Sequence, residues 1–492
     1  MASSHFATRS AMICLATSVT LAPVAGCSSK GMGQSSSSNA TAGSGGASSA
    51  SASAGSGGSG GAGGKSSASG GSGGASTSSG PSAGSGGVTS SSASSGSASS
   101  GANSSSSGID LTMVDQDGDG WTPAQGDCCD VPGPCGADPK LINPGAFEYP
   151  GNGIDDDCDP STLDTAPTPS CSASSLFAGI TGDALVKAMD ICSFTTASPP
   201  LPMKKWGVIQ TQLLLADGTT ALTPPDSVQV GVLSSYGPYV TPQKYGTMAA
   251  LSSGTARAVG DPGYVHPKNG NQSAQKTGNY NAMTQVKIQD TYLAPHGGKP
   301  PSPAACSAAC TTGCDQAFDS VNLRAQIRVP TNAFSFSYQF KFYSSEYPEH
   351  LCQQYNDFFV TLLKTTWMPD PSAMPPQKPL PPDTNIAFDA QGNPVSVNNG
   401  FFQVCFPTLG APAGSCPSGT LDLVGNGMGG WGNNLMEGGG TDWLTNEAPV
   451  VPGETMEIQF IVWDAGDHNV DSLVLLDHFR WSITPSAVGV HK

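Results

Sequence analysis

The chain has 492 residues, among them 63 Gly, 40 Pro and 14 Cys, with 12% charged and a formal net charge of −17. With 20 Lys and Arg against 37 Asp and Glu, it lacks the clustered cations that neutralise phosphates, which argues against a nucleic-acid partner. Fourteen cysteines are a liability in a reducing compartment, and only the N-terminus holds an apolar run approaching spanning length, so neither a cytosolic enzyme nor an integral membrane protein fits.

Residues 1–26 read as an export signal: Arg9 is the positive end, and Ala11 to Ala25 form a short apolar core followed by small residues. Val24-Ala25-Gly26-Cys27 has the form of a lipobox. Cleavage before Cys27 would leave its thiol to carry a lipid that anchors the chain to a membrane. An ordinary signal peptide ending near a cysteine is the alternative. Residues 27–108 form the lipidated cysteine and a tether. From 28 to 108 the chain is almost wholly Gly, Ser and Ala, with Met32 and Val88 the only larger apolar side chains. Such a chain buries too little to offset its ordering entropy, which predicts disorder. As a Gly/Ser coil it spans about 50 Å, enough to hold a folded domain clear of a membrane.

Residues 109–163 carry the sharpest metal signal. Residues 110–160 hold twelve acids and one base, giving −11, whereas 1–109 give +3 and 161–492 give −9. The stretch Asp115-Gln116-Asp117-Gly118-Asp119-Gly120-Trp121 places carboxylates at positions 1, 3 and 5 and Gly at 6. That is the first half of a calcium loop, with the Trp121 carbonyl as the next ligand. The Glu wanted at position 12 is replaced by Gly126, with Asp127 one residue later, and the flanks lack helical periodicity, so an EF-hand is rejected. Further acids follow at Asp130, Glu148, Asp155, Asp157 and Asp159.

Together, Gly126-Asp127-Cys128-Cys129-Asp130, Pro144-Gly145-Ala146-Phe147-Glu148 and Asn152-Gly153-Ile154-Asp155-Asp156-Asp157-Cys158-Asp159 resemble the MopE-type metal-binding motif of secreted bacterial proteins. The departures are the doubled Cys128-Cys129 and the extra Cys135. The family name implies copper, but hard carboxylates without His suit Ca²⁺ better. A solvated acidic spacer is the bland alternative. Cys128, Cys129, Cys135 and Cys158 fit two disulfides in a piece too small for its own core, with a Cys₄ zinc site as the competing reading.

Residues 170–492 read as mainly β. Phe334, Phe336, Tyr338, Phe340 and Phe342 alternate with Ser335, Ser337, Gln339 and Lys341, which predicts a strand half-buried on one apolar face. Phe358 to Leu363, 457–463 and 473–481 read as further strands, and 182–191 as a short helix. Turn residues cluster between them, and the Pro-dense Pro369 to Pro382 reads as an exposed loop. An antiparallel β-sandwich is the natural fold for these segments.

Ordered landmarks in this region resemble the choice-of-anchor L domain of exported bacterial proteins. They are Leu251 to Arg257, Arg328 to Asn332, Phe342 to Pro348, Tyr355 to Phe359, Asn385 to Asp389, Gly392 to Asn399, Thr441 to Leu444, Trp463 to Asp467, and Asp471-Ser472 with Leu476-Asp477. The resemblance implies an exported, β-rich surface domain joined to one of several anchors, and no established reaction.

Glu346, Asn356 and Asp357 follow one strand, and Asp464, Asp467 and Asp471 lie between two others. They read either as a second Ca²⁺ site at one end of the sandwich or as Asx caps of turns. The histidines follow no ligand spacing, and no nucleophile–base pattern stands out. The cysteines of this region are Cys171, Cys192, Cys306, Cys310, Cys314, Cys352, Cys405 and Cys416, an even number. Cys171 with Cys192 and Cys405 with Cys416 are local pairs. The 306/310/314 cluster needs at least one distant partner, with Cys352 the candidate.

The expectation is therefore a non-enzymatic, lipid-anchored surface protein of a Gram-negative bacterium, on its outer membrane or cell surface. It presents a calcium-stabilised module and a β-sandwich that binds an external protein or glycan. The alternatives are a metal-sequestering surface protein and a secreted carbohydrate-active enzyme using paired acids such as Glu346 and Asp357.

Overall fold

The computed structural model describes residues 110–492 except 134, 137, 163, 165–170, 172–174, 224–227, 268–284, 307–309, 311, 407–415 and 430–437. The signal, Cys27 and the tether lie outside the described residues. The chain divides into two units, Met1–Gly101 and Ala102–Lys492, and everything below concerns the second.

The described strands are β1 (Gly207–Leu214), β2 (Val230–Leu233), β3 (Met248–Ser252), β4 (Gln285–Lys287), β5 (Gln316–Arg328), β6 (Ser335–Ser344) and β7 (Phe358–Lys364). After them come β8 (Val395–Ser396), β9 (Phe402–Cys405), β10 (Gly439–Thr441), β11 (Leu444–Pro449), β12 (Thr455–Asp464), β13 (Ser472–Ser482) and β14 (Gly489–His491). They form two antiparallel sheets. One runs β1-β5-β12-β7-β8, with β4 also on β5; the other runs β14-β11-β6-β13-β3-β2, with β10 pairing β6 and β9. The β-sandwich expected from the sequence is therefore present. The short helix α1 (Gly182–Ala188) is capped by the Thr181 hydroxyl on the Ala184 N–H, and it buries Leu185 and Val186.

Period-two alternation builds the interior. Val321, Leu323, Ala325 and Ile327 of β5 and Met456, Ile458, Phe460 and Val462 of β12 face Phe336, Tyr338, Phe340 and Phe342 of β6. The Tyr338 ring packs edge-on against Phe460, 5.1 Å away. Its hydroxyl is paired with Thr361 Oγ1 and with the Asn446 amide, which keeps this polar atom satisfied in the core.

The outer faces carry their own clusters, and this corrects the expectation for β6. Ser335, Ser337 and Lys341, read as its solvent side, are 2%, 6% and 3% exposed. At the Lys341 end, the segments around Tyr236, Val240, Leu423 and Met428 pack over Tyr343, Leu473 and Leu475, whereas Ser335 donates to the Thr484 carbonyl and Ser337 accepts from Arg480. Lys341 is paired there with Asp422. On the other sheet, Tyr292 and Leu293 cover Phe358, Val360, Ile461 and Trp463.

Among the described residues, the bridges are Cys128–Cys158, Cys129–Cys135, Cys171–Cys192, Cys306–Cys352, Cys310–Cys314 and Cys405–Cys416. The described residues of 110–160 form no strand or α-helix, only short 3₁₀ turns such as Pro123–Gln125 and Pro139–Leu141. They dock on the sandwich through Asn332, which accepts from the Phe147 N–H at 3.0 Å and donates to its carbonyl at 2.8 Å. Thr331 adds a hydroxyl bond to Asn143 at 2.6 Å, and Phe147 joins the sandwich core.

Candidate metal centre

Three carboxylate triads converge in the acidic module, each with one oxygen per residue within 4.8 Å of the others: Asp115/Asp117/Asp130, Asp117/Asp119/Asp127 and Glu148/Asp155/Asp157. Local hydrogen bonds aim them. Asp115 accepts from the Gly118 and Gly120 N–H groups at 2.6 and 2.9 Å, with both glycines at positive φ, where a Cβ would be strained. One oxygen of each of Asp117, Asp119 and Asp127 accepts the N–H two residues on, from Asp119, Trp121 and Cys129. The other oxygen of each is buried and has no hydrogen-bond partner. A buried, unpaired carboxylate oxygen is costly unless a cation meets it, and here three belong to one triad. The Gln125 side-chain oxygen is likewise buried and unpaired, two residues before Asp127.

Charge repulsion follows from this packing. Burial, then the neighbouring charges of Asp117 and Asp127, push the Asp119 carboxyl up to about 6. Burial, then Asp156 and Asp157, push Glu148 up to about 7. Asp117, Asp127 and Asp155 are raised for the same leading reason. Glu148 accepts the Asp156 N–H through one oxygen, and its other oxygen is unpaired.

Of the residues expected in the module, all but Trp121 and Asp159 are triad carboxylates. Asp159 stands apart: it accepts from Ser161 and pairs with Lys205 at 3.4 Å, and the Ser161 donors followed by Lys205 hold its carboxyl below the usual range. Trp121 is buried and donates its N–H to Asp119 at 2.7 Å. Sequence reasoning missed two shaping residues. Asp156 accepts from the Tyr149 N–H and the Asn152 amide, and Asp164 accepts from the Gly151 and Asn152 N–H groups. The Cys128–Cys158 bridge ties the two halves of the motif together.

The second group divides. Asp467 accepts from the Asn469 N–H and amide, as an Asx turn does, and Asn356 accepts from the Asn398 N–H at 2.9 Å. Glu346, Asp357, Asp464 and Asp471 are buried at 2%, 0%, 1% and 4% exposure. Asp319, unnoticed in the sequence, is 2% exposed and joins them. No spacing signal pointed to it: β5 breaks register between its pairs with Val462 and Asp464, and Asp319 sits in that break at φ 47°, so the alternation of 321, 323, 325 and 327 does not extend to it. Asp357 accepts from the Ala465 N–H at 3.0 Å and the Ser472 hydroxyl at 2.6 Å, and its carboxylate also contacts Glu346 and Asp464. These carboxylates meet pairwise through Asp357; among the described residues, the three-way convergences all lie in the module.

No curated protein and no solved structure matches the chain. The Choice-of-anchor L domain, a family found on cell-surface proteins and not an enzyme family, matches residues 270–479, and this match suggests a surface-associated protein.

Proposed function

We propose that this chain is an exported, lipid-anchored surface protein whose acidic module is folded around calcium and whose β-sandwich binds an external protein or glycan. The observation that carries the calcium reading is the Asp117/Asp119/Asp127 triad, with an unpaired buried oxygen on every member. Oxygen-only donors favour a hard cation, and the absence of His, Cys or Met from the triads speaks against copper sequestration. Docking of the module through Asn332 and Phe147 makes calcium relevant to the sandwich too, because loosening the loop frees a core residue. The anchor reading rests on Val24-Ala25-Gly26-Cys27 and the Gly/Ser stretch behind it.

The test uses the full chain stripped of metal. Calorimetric titration should show calcium uptake with a raised unfolding temperature, and copper should not substitute. No uptake at millimolar calcium would remove the calcium reading. Labelled fatty acid should enter the wild-type chain in a bacterial host and not Cys27→Ser. A glycan and protein array then searches for the partner.

A further inference from the structure

The inward faces of the sandwich turn from apolar to acidic at one end. On β12 the inward series Met456, Ile458, Phe460, Val462 continues to Asp464. On β5 the inward series ends at Val321, and Asp319 sits in the bulge at the same end of the strand. Asp357 stands two residues before the inward Phe359, and Glu346 stands four residues beyond the inward Phe342. Asp471 precedes Ser472, which pairs with Ser344 at the end of β6. Five chain segments therefore bring five carboxylates to one end of a dry core.

Their hydrogen bonds leave a deficit of positive charge. Asp357 is held by two donors. Oε2 of Glu346 is buried with no hydrogen-bond partner, and the buried oxygens of Asp464 have only the Asp357 carboxylate and the Ser253 hydroxyl beside them. No Lys or Arg forms an ion pair with Glu346, Asp357 or Asp464 among the described residues; the ion pair at this end is His468 with Asp319, at 2.9 Å. One proton on Asp464 would satisfy that carboxyl between Asp357 and Ser253 and still leave Glu346 Oε2 unmet. A cation with several coordination positions meets them together. The space is also kept by Gly254: a Cβ there would lie 1.8 Å from Asp471 Oδ2.

We propose that Asp357, in contact with Glu346 on one side and Asp464 on the other, is the pivot of a site for a hard divalent cation of the calcium class, whose binding draws the three carboxylates together within the negative surroundings of Asp319 and Asp471. This site is separate from the module, and it ties the ends of β6, β7 and β12 to one another.

The experiment counts bound calcium on the full chain by equilibrium dialysis and elemental analysis. Asp464→Asn and the isosteric Glu346→Gln should each lose one equivalent relative to wild type, while Asp119→Asn loses calcium from the module only. Glu346→Gln carries the count if Asp464→Asn does not fold. An unchanged count in the two sandwich variants overturns the proposal whatever the module binds. It is equally overturned if both variants keep the wild-type count and abolish a rise in calcium-free stability from pH 8 to pH 5, because shared protons would then neutralise the cluster.

Discussion

Replacing Asp119 by Asn should have opposite effects with and without calcium. Asp119 shares its triad with Asp117 and Asp127, and the oxygens lie within 4.8 Å. At that separation each like-charge pair costs about 1 kcal/mol near bulk water and about 3 kcal/mol at an effective dielectric near 20. Asp119 is half-buried, so removing its two repulsions should stabilise the calcium-free protein by about 2 kcal/mol after solvent screening. With calcium at about a thousand times its dissociation constant, wild type gains about 4.1 kcal/mol by linkage. The substituted amide offers one neutral oxygen in place of a carboxylate, so most of that gain should disappear. The assay is thermal unfolding of both proteins in metal-stripped buffer and in millimolar calcium. Asp119→Asn should melt above wild type in the first and below it in the second. Equal destabilisation in both buffers would refute the reasoning, since it would make Asp119 an ordinary structural acceptor of the Trp121 N–H.

Removing the Cys128–Cys158 bridge by double Ser substitution frees a loop with a sequence separation of 30. It should cost about 3–4 kcal/mol by loop entropy and weaken calcium binding, both measurable by calorimetry. Asp190 is buried with neither carboxylate oxygen hydrogen-bonded, and burial followed by the charge of Asp477 pushes its carboxyl up to about 8. The folded state thus holds a proton that the unfolded chain loses near pH 4, so this contribution is full at low pH and is lost as pH rises toward 8. Asp190→Asn should flatten the fall in stability between pH 5 and 8 by about 2 kcal/mol, read from denaturant unfolding across that range. Gly254→Ala should destabilise by about 1–3 kcal/mol through overpacking, because the new methyl must displace the Asp471 carboxylate; a neutral outcome in thermal unfolding would show that this carboxylate moves freely.

The sequence alone determined the elements with a strong local period. Alternation of Phe336, Tyr338, Phe340 and Phe342 located a central strand, and Asp-x-Asp-x-Asp-Gly located a loop that turns carboxylates toward one point. Both depend on near neighbours, which sequence spacing specifies directly. Tertiary structure decided what lies across from them. Lys341 is buried because distant segments cover its end of the outer face of β6, Ser335 and Ser337 are buried where Thr484 and Arg480 meet them, and no local period encodes such a cover. Asp159 turns to Lys205 and away from the triads, although its neighbour Asp157 is a triad member. Asp319 joins Glu346, Asp357 and Asp464 only when strands far apart in the chain end at the same level. Residue type and period set which side chains can face inward. The pairing of remote strands sets which of them meet, and so whether a carboxylate caps its own turn or becomes part of a buried negative cluster.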